Sequence, residues 1–418
     1  MNIAMLSYHT CPLATLGGKD TGGMNVYVAE LTRELGRQGV HVDVFTRSQD
    51  EHVPHVMHNL GFGNRVVHIP SGPEHPLPKP ELAEHIPGFA QEIRKWAAEK
   101  GIHYDLIHSH YWMSGVAAEL LKQTWNVPVL QMFHTLALMK NRIAQTPAEM
   151  EGEFRIEGER KVMHSVERII AATQAEEAQL ELLYQVPHEK ISIIPPGVDI
   201  GRFYPIPHDE AKEVIGHGKC PRLLLFVGRI EPLKGIDTLI RALAILRQNG
   251  AMDHECYSLA IIGGEPDAPP EDMTAEMARL QTLCRGLGLE DLVLFLGKRA
   301  QETLPYYYSA AEIVIMPSHY ESFGMVALEA MACGTPVVAS QVGGLAYLVQ
   351  DGITGYVVPG GDADALAKTL HKLMKDPELR DRLGKQAADY AHFYSWEKIA
   401  YRMKTVYEEL LEDKNCQS

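Results

Sequence analysis

"GMNVYVAELTRELGRQGVHVDVFTR" (Gly23–Arg47) decides the fold. Its first part spaces apolar residues as an amphipathic helix does and runs into Gly39. Its last part, "HVDVFTR" (His41–Arg47), is a short apolar-rich run that predicts a strand. Upstream, "NIAMLSY" (Asn2–Tyr8) is a second such run. Strand, helix and strand in this order predict a βαβ unit, hence a parallel sheet with right-handed crossovers.

The series continues with "RVVHIP" (65–70), "DLIHSH" (105–110), "VPVLQMFH" (127–134), "RIIAAT" (168–173) and "ISIIPPGVD" (191–199). The stretch "IPPGVDIGRFYPIPHDEAKEVIGHGKCP" (194–221) is rich in Pro and Gly, lacks a long periodic run and reads as an interdomain connection. A second series follows: "RLLLFVGRI", "YSLAIIGG", "LVLFLGK", "AEIVIMPS", "TPVVAS" and "GYVVPG", with helical segments such as "GIDTLIRALAILRQNG" (235–250) between them. No short fixed repeat is present, so the 418 residues divide into two similar α/β halves. Ligands of such sheets bind outside the carboxyl ends of the strands, and two halves facing each other make a cleft. The tail "YSWEKIAYRMKTVYEELLEDK" (394–414) predicts a helix with its charges on one side.

Thirty-nine basic against fifty-four acidic residues give a net charge of −15, which argues against a general nucleic-acid binder. No 18-residue apolar run predicts a membrane span, and "MNIAMLSYHT" has no basic or apolar leader pattern, so the cytoplasm is the expected compartment. The six cysteines are scattered without a C-x-x-C pair and are expected to be reduced.

Four stretches carry chemistry. In "GGKDTGGMNVYV" (17–28), Gly22 and Gly23 stand where a loop enters a helix and backbone can approach a phosphate. A plain glycine turn explains them equally well, and the dinucleotide fingerprint G-x-G-x-x-G is absent. In "FVGRIEPLKGID" (226–237), Arg229 and Lys234 converge on a helix start after a strand, which suits a diphosphate better than two solvated surface cations do. In "ESFGMVALE" (321–329), Glu321 follows a strand and Gly324 opens a helix that carries Glu329. Two acceptor-only side chains suit the hydroxyls of a sugar or ribose. A general acid/base pair and a helix-face acid paired with a lysine are the competing readings.

The fourth stretch is the histidines. His108 and His110 in "HSHY" have no third metal ligand evident nearby and read as strand-end packing, whereas His134 ends a strand at the expected cleft beside Thr135. Asp362 in "DAD" starts a helix and reads as an N-cap rather than a metal ligand with Asp364.

Together "GGMNVYV", "HSHYWMSG", "HTLALMKN", "PPGVD", "FVGRIEPLKG", "ESFGMVALEAMACGTPVVAS", "VGGL" and "DGITGYVV" resemble the retaining family 4 glycosyltransferases over nearly the whole chain. The resemblance implies an α/β fold of GT-B architecture, two Rossmann-like doubly wound domains facing across a cleft. The expected organisation is an acceptor-binding domain over 1–200, a nucleotide-sugar-binding domain over 201–390, and a terminal helix over 391–418 packed back on the first domain.

It further implies that Gly23 meets the donor diphosphate and that Arg229 and Lys234 neutralise the departing nucleoside diphosphate. Glu321 would hold donor-sugar hydroxyls with the amides around Phe323 and Gly324, Glu329 the ribose, and His134 the transferring sugar. Within that family the chain is similar to the inositol-phosphate glycosyltransferases, with sucrose-phosphate synthases as relatives. Asn25, Lys79, Tyr111, Thr135 and Arg155 then match positions that hold a phosphorylated acceptor.

The expected partners are a UDP-sugar co-substrate and a phosphorylated small acceptor, with a homodimer admitted and no nucleic acid, membrane span, metal or cofactor. The implied activity is a metal-independent, retaining hexosyl transfer. A sucrose-phosphate synthase acting on UDP-glucose and fructose 6-phosphate, and a nucleotide-sugar epimerase of GT-B shape, are the alternatives. An epimerase needs no acceptor clamp, so Lys79 and Arg155 discriminate.

Overall fold

The computed structural model describes residues 1–14, 21–144, 146–216, 222–251, 256–269 and 271–417. The chain forms two compact units: Met1–Ala14, Gly23–Gly197 and Trp396–Ser418 make the first, and Thr15–Gly22 with Val198–Ser395 the second.

The first unit is built on an eight-stranded sheet in the order β3-β4-β2-β1-β5-β6-β7-β8. Its strands are β1 (Asn2–Leu6), β2 (His41–Arg47), β3 (Val56–Met57), β4 (Arg65–Ile69), β5 (Leu106–His110), β6 (Val129–Met132), β7 (Arg168–Ala171) and β8 (Ile191–Ile193). Helix α1 (Gly23–Arg37) links β1 to β2, which pair in parallel from Asn2 opposite His41 to Leu6 opposite Phe45. The expected βαβ unit is therefore present. Among the described residues of this sheet, only β3 pairs antiparallel, with β4. It is two residues long and half exposed, too short to leave a hydrophobic pattern, and the sequence reading has no counterpart for it.

The strand interiors and one face of the surrounding helices form a continuous core that includes Leu6, Phe45, Phe89, Ile107, Leu121, Val129 and Ile169. The terminal helix Trp396–Gln417 belongs to this unit and packs on α1. Its fully buried Tyr407 places the phenol oxygen 2.7 Å from His108 Nδ1.

The second unit holds a six-stranded sheet, wholly parallel, in the order β11-β10-β9-β12-β13-β14. These strands are β9 (Arg222–Val227), β10 (Tyr257–Ile262), β11 (Val293–Gly297), β12 (Ala311–Met316), β13 (Val337–Ser340) and β14 (Gly355–Val358). The order reverses between β9 and β12, and in the first unit between β1 and β5. Those switch points are where open parallel sheets leave room for a ligand.

Two expectations need correction. The connection between the halves is not wholly irregular, because His208–Ile215 is a helix that packs on the helix Leu304–Ala310. It is eight residues long with only Ala211 buried, so its periodicity is too brief to register, and residues 217–221 lie outside the described residues. Cys11, Cys284, Cys333 and Cys416 are free thiols, but Cys256 is disulfide-bonded. Sequence spacing does not report how close two Cα atoms come in space, which is what a disulfide requires.

Candidate active site

In the second unit, the loops after β9 and β12 are pressed together. Gly235 has φ 62°, and a Cβ there would stand 2.1 Å from the Pro317 carbonyl oxygen, so only glycine fits. His319 N donates to Leu233 O at 2.8 Å. This contact brings Lys234, at the start of the helix Ile236–Gln248, to Glu321: Nζ lies 2.5 Å from Oε2, and each side chain keeps 17% exposure. Gly343 and Gly344, from "VGGL", sew the acid's backbone in place. A Cβ on Gly343 would fall 2.0 Å from Glu321 O, and Gly344 N donates to that oxygen at 2.9 Å.

Gly324 then opens the helix Met325–Ala332, with Phe323 buried beside it. Glu329 lies buried on that helix and accepts from Tyr308 Oη at 2.8 Å, a phenol in place of the lysine that the helix-face reading required. Arg229 is more exposed and pairs with Glu231 at 2.9 Å. Gly22 belongs to this unit, and a Cβ built on it would be 3.9 Å from Arg229 Nε. The upstream glycines and Lys19 of that stretch lie outside the described residues. Asp362 caps its helix by accepting from Ala365 N at 2.9 Å.

In the first unit the chemistry sits at the ends of β5 and β6. Tyr111 (φ 70°) and His134 (φ 61°) both occupy the left-handed region, a strain of about 1–3 kcal/mol each for such residues. Tyr111 is held by Tyr111 N donating to Met132 O at 2.9 Å and Gln131 Nε2 donating to Tyr111 O at 3.2 Å. Its ring has the Arg155 guanidinium carbon 5.0 Å and Lys79 Nζ 5.8 Å from the centroid. Arg155 Nη2 donates to Thr135 Oγ1 (2.9 Å) and Thr135 O (3.0 Å), its Nε to Glu159 Oε1 (2.8 Å), and its Nη1 pairs with Glu151 Oε1 (2.7 Å). Burial works against the guanidinium charge, but Tyr111, Glu159 and Glu151 outweigh it and raise its pKa.

The structure thus brings Lys79, Tyr111, Thr135 and Arg155 together from distant stretches of sequence. Asn25 stands on the first turn of α1, where its Nδ2 donates to Thr10 Oγ1 and Cys11 O, tying loop 10–11 to the helix.

The histidine reading changes. A third imidazole does stand near the "HSH" pair: His110 Nδ1 is 3.0 Å from His134 Nε2, and the His108 and His110 rings are 4.2 Å apart. The sequence hid this because His134 reaches the others only through the lateral pairing of β5 with β6. Burial, reinforced by the neighbouring His134 ring, lowers the pKa of His108 to about 3. Burial with His9 close by lowers that of His134 to about 3, so the ring facing the site is neutral. Burial first, then His108 and His134, lower that of His110 well below the ordinary value.

Sequence reasoning missed Lys140, Glu151 and Glu159 around Arg155. Part of the signal was present, since Arg155 and Glu159 are four residues apart on one face of the helix Glu153–Ser165; Glu151 precedes the N-cap Gly152 of that helix, so its spacing carried no such signal.

Two parallel-sheet, Rossmann-like units with charged loops at their switch points define a glycosyltransferase of GT-B architecture. The chain belongs to the family 4, group 1 glycosyltransferases: residues 21–202 match the model for Glycosyltransferase Family 4 and residues 207–390 that for Glycosyl transferases group 1. It is 39% identical to the D-inositol 3-phosphate glycosyltransferase of Actinosynnema mirum over 406 residues, covering 97% of this chain and 96% of that one. It is also 39% identical to the one of Thermomonospora curvata over 412 residues, 97% and 94% of the two chains. Among solved structures, the sucrose-phosphate synthase from Thermosynechococcus elongatus superposes with a TM-score of 0.88 at 34% identity and 99% coverage of both chains. Among the described residues, no helix is long and apolar enough to cross a membrane.

Proposed function

We propose that this glycosyltransferase moves a hexosyl group from a UDP-sugar to a phosphorylated polyol or sugar, with retention of configuration and without a metal ion or cofactor. The observation that carries the acceptor class is the Tyr111 phenol. It is buried and finds no hydrogen-bond partner among the described residues, yet Lys79 Nζ and the Arg155 guanidinium carbon lie 5.8 and 5.0 Å from its ring centroid. An orphaned buried hydroxyl costs about 1–3 kcal/mol, which an anionic ligand oxygen would relieve. The names of the relatives put an inositol phosphate first among acceptors. The likeness to a sucrose-phosphate synthase supports fructose 6-phosphate with UDP-glucose as the second reading.

On the donor side, Arg229 and Lys234 take the diphosphate, and Gly23 is assigned to the same group. Glu321 and the amides around Phe323 and Gly324 hold the sugar hydroxyls, and Glu329 holds the ribose. Glu321 and Lys234 position each other through their 2.5 Å ion pair, so both are oriented before the donor arrives. His134, neutral at working pH, offers the transferring sugar a hydrogen bond without adding charge.

The acceptor hydroxyl oxygen bonds to the anomeric carbon on the face that the diphosphate leaves. The carbon–oxygen bond to the diphosphate breaks, and the hydroxyl proton passes to the departing phosphate oxygen. Arg229 and Lys234 stabilise the charge that develops there, the role a divalent cation plays in other transferases.

The test is direct. The protein is incubated with UDP-glucose or UDP-N-acetylglucosamine and a panel of inositol and sugar phosphates, and products are identified by mass and anomeric configuration. Transfer to the phosphates but not to the free polyols is expected. Equal transfer to inositol or fructose and their phosphates would remove the acceptor clamp.

A further inference from the structure

Glu151 lies among the cations that the acceptor-phosphate reading gives to the ligand. Its Oε1 pairs with Arg155 Nη1 at 2.7 Å and with Lys140 Nζ, and Lys79 acts on it through charge. Burial alone would raise the Glu151 pKa; Arg155, Lys140 and Lys79 reverse this and hold it below the ordinary carboxylate value. One carboxylate oxygen therefore serves two cations directly and feels the charge of a third.

The two acids around Arg155 are not equivalent. Glu159 is fully buried and committed: its oxygens accept from Ala137 N at 3.0 and 3.2 Å, from Arg155 Nε and from Tyr184 Oη. The Glu151 side chain keeps 20% exposure and, among the described residues, pairs with the two cations Lys140 and Arg155. Its backbone, by contrast, is anchored: Glu151 N donates to Asn141 Oδ1 at 2.6 Å and Asn141 Nδ2 donates to Glu151 O at 3.0 Å. The carboxylate can swing away while the chain beneath it stays fixed.

Charge counting gives the same answer. Lys79, Lys140 and Arg155 supply three positive charges, and Glu151 with Glu159 two negative ones. Replacing the Glu151 carboxylate by a phosphate of about −2 charge brings the cluster close to neutral.

We propose that Lys140 is a further ligand of the acceptor phosphate, and that the Glu151 carboxylate occupies this anion position until a phosphate displaces it. Glu151 is thus a built-in competitor. It keeps the cations converged when no acceptor is bound and discriminates against acceptors that carry a single weak negative charge or none. This rests on the acceptor-phosphate reading above and adds to it a ligand and a threshold.

The experiment uses the full chain and inorganic phosphate as probe, followed by the fluorescence of Trp112, whose ring lies 6.2 Å from that of Tyr111, and by thermal shift. Glu151→Gln, which keeps the shape and removes the charge, is expected to bind phosphate about tenfold more tightly than the native chain, and Lys140→Met about tenfold more weakly. Glu151→Ala is the second variant and should move in the same direction as Glu151→Gln. In turnover, Glu151→Gln should lower the KM for phosphorylated acceptors and narrow the preference over unphosphorylated ones, with the donor KM unchanged. Phosphate binding that both Glu151 variants leave unchanged or weaken overturns this inference alone. Failure of the native chain and of Glu151→Gln to bind phosphate at all removes the acceptor-phosphate reading, and this inference with it.

Discussion

The two candidate half-sites are built differently. In the second unit the residues follow one another in short motifs. Lys234 and Glu321 come from loops at the ends of adjacent strands β9 and β12, and glycines let those loops touch. In the first unit Lys79, Tyr111, Thr135 and Arg155 come from four separate stretches and are held by buried partners, with Glu159 fully enclosed and three imidazoles kept neutral. The first design fixes its charged side chains by local backbone geometry. The second invests in buried charge and strained backbone, so its residues serve the fold and the site at once.

That difference can be broken most visibly at Arg155. Arg155→Ala leaves the Glu159 carboxylate buried with no cation, a change that typically costs about 3–5 kcal/mol. Urea unfolding should show that loss. Stability within about 1 kcal/mol of the native chain would mean that the first half-site is not built on this pair.

Lys234→Ala should act in the opposite manner. The fold persists, while kcat falls by about 10²–10³, equivalent to about 2.7–4 kcal/mol for one preorganised electrostatic contact. Near-native kcat at saturating donor would contradict the role of Lys234 at the leaving group.

Acid should also separate the halves. His108, His110 and His134 are held neutral in the folded chain but take up protons near pH 6.5 when it unfolds. Below 6.5 the unfolded state binds more protons, so stability falls as pH drops from 6.5 towards 3, by at most about 1.4 kcal/mol per pH unit for each histidine. His134 keeps one edge at the surface, so its share is smaller than those of the fully buried His108 and His110. Glu176, whose pKa burial raises to about 7, works the other way by gaining a proton in the folded state first. Urea unfolding followed at several pH values should therefore show a net loss between pH 6.5 and 4.5. Flat stability across that window would show that the cluster is not held neutral.

A smaller effect sharpens the comparison. Lys79 is exposed, so Lys79→Ala should spare the fold and raise the acceptor KM about tenfold, near 1.4 kcal/mol, leaving the donor KM alone. An equal rise in both constants would place Lys79 outside the acceptor site. The smallest expected effect is that of EDTA, which should leave turnover unchanged on the proposal that Arg229 and Lys234 take the diphosphate charge. Loss of turnover restored by magnesium or manganese would return Asp362 and Asp364 to consideration.

The sequence by itself determined the two parallel α/β series, the strand-end positions of Arg229, Lys234, Glu321 and His134, and the capping role of Asp362. These are local properties: hydrophobic period, a glycine where a turn needs one, a cap three residues ahead of the amide it satisfies. Only the tertiary structure decided the rest. It brought His134 to His110 through the pairing of neighbouring strands, and gave Glu329 a phenol for a partner in place of a lysine. It gathered Lys79, Tyr111 and Arg155 around one ring and placed Glu151 among the cations. Such contacts depend on which strands pair and which helix faces meet, and that long-range free energy is not written in any single stretch of chain. The four-residue spacing of Arg155 and Glu159 showed that they share a helix face, while Glu151 stands just ahead of that helix. Packing then decided that Glu159 is fully buried while Glu151 keeps partial exposure.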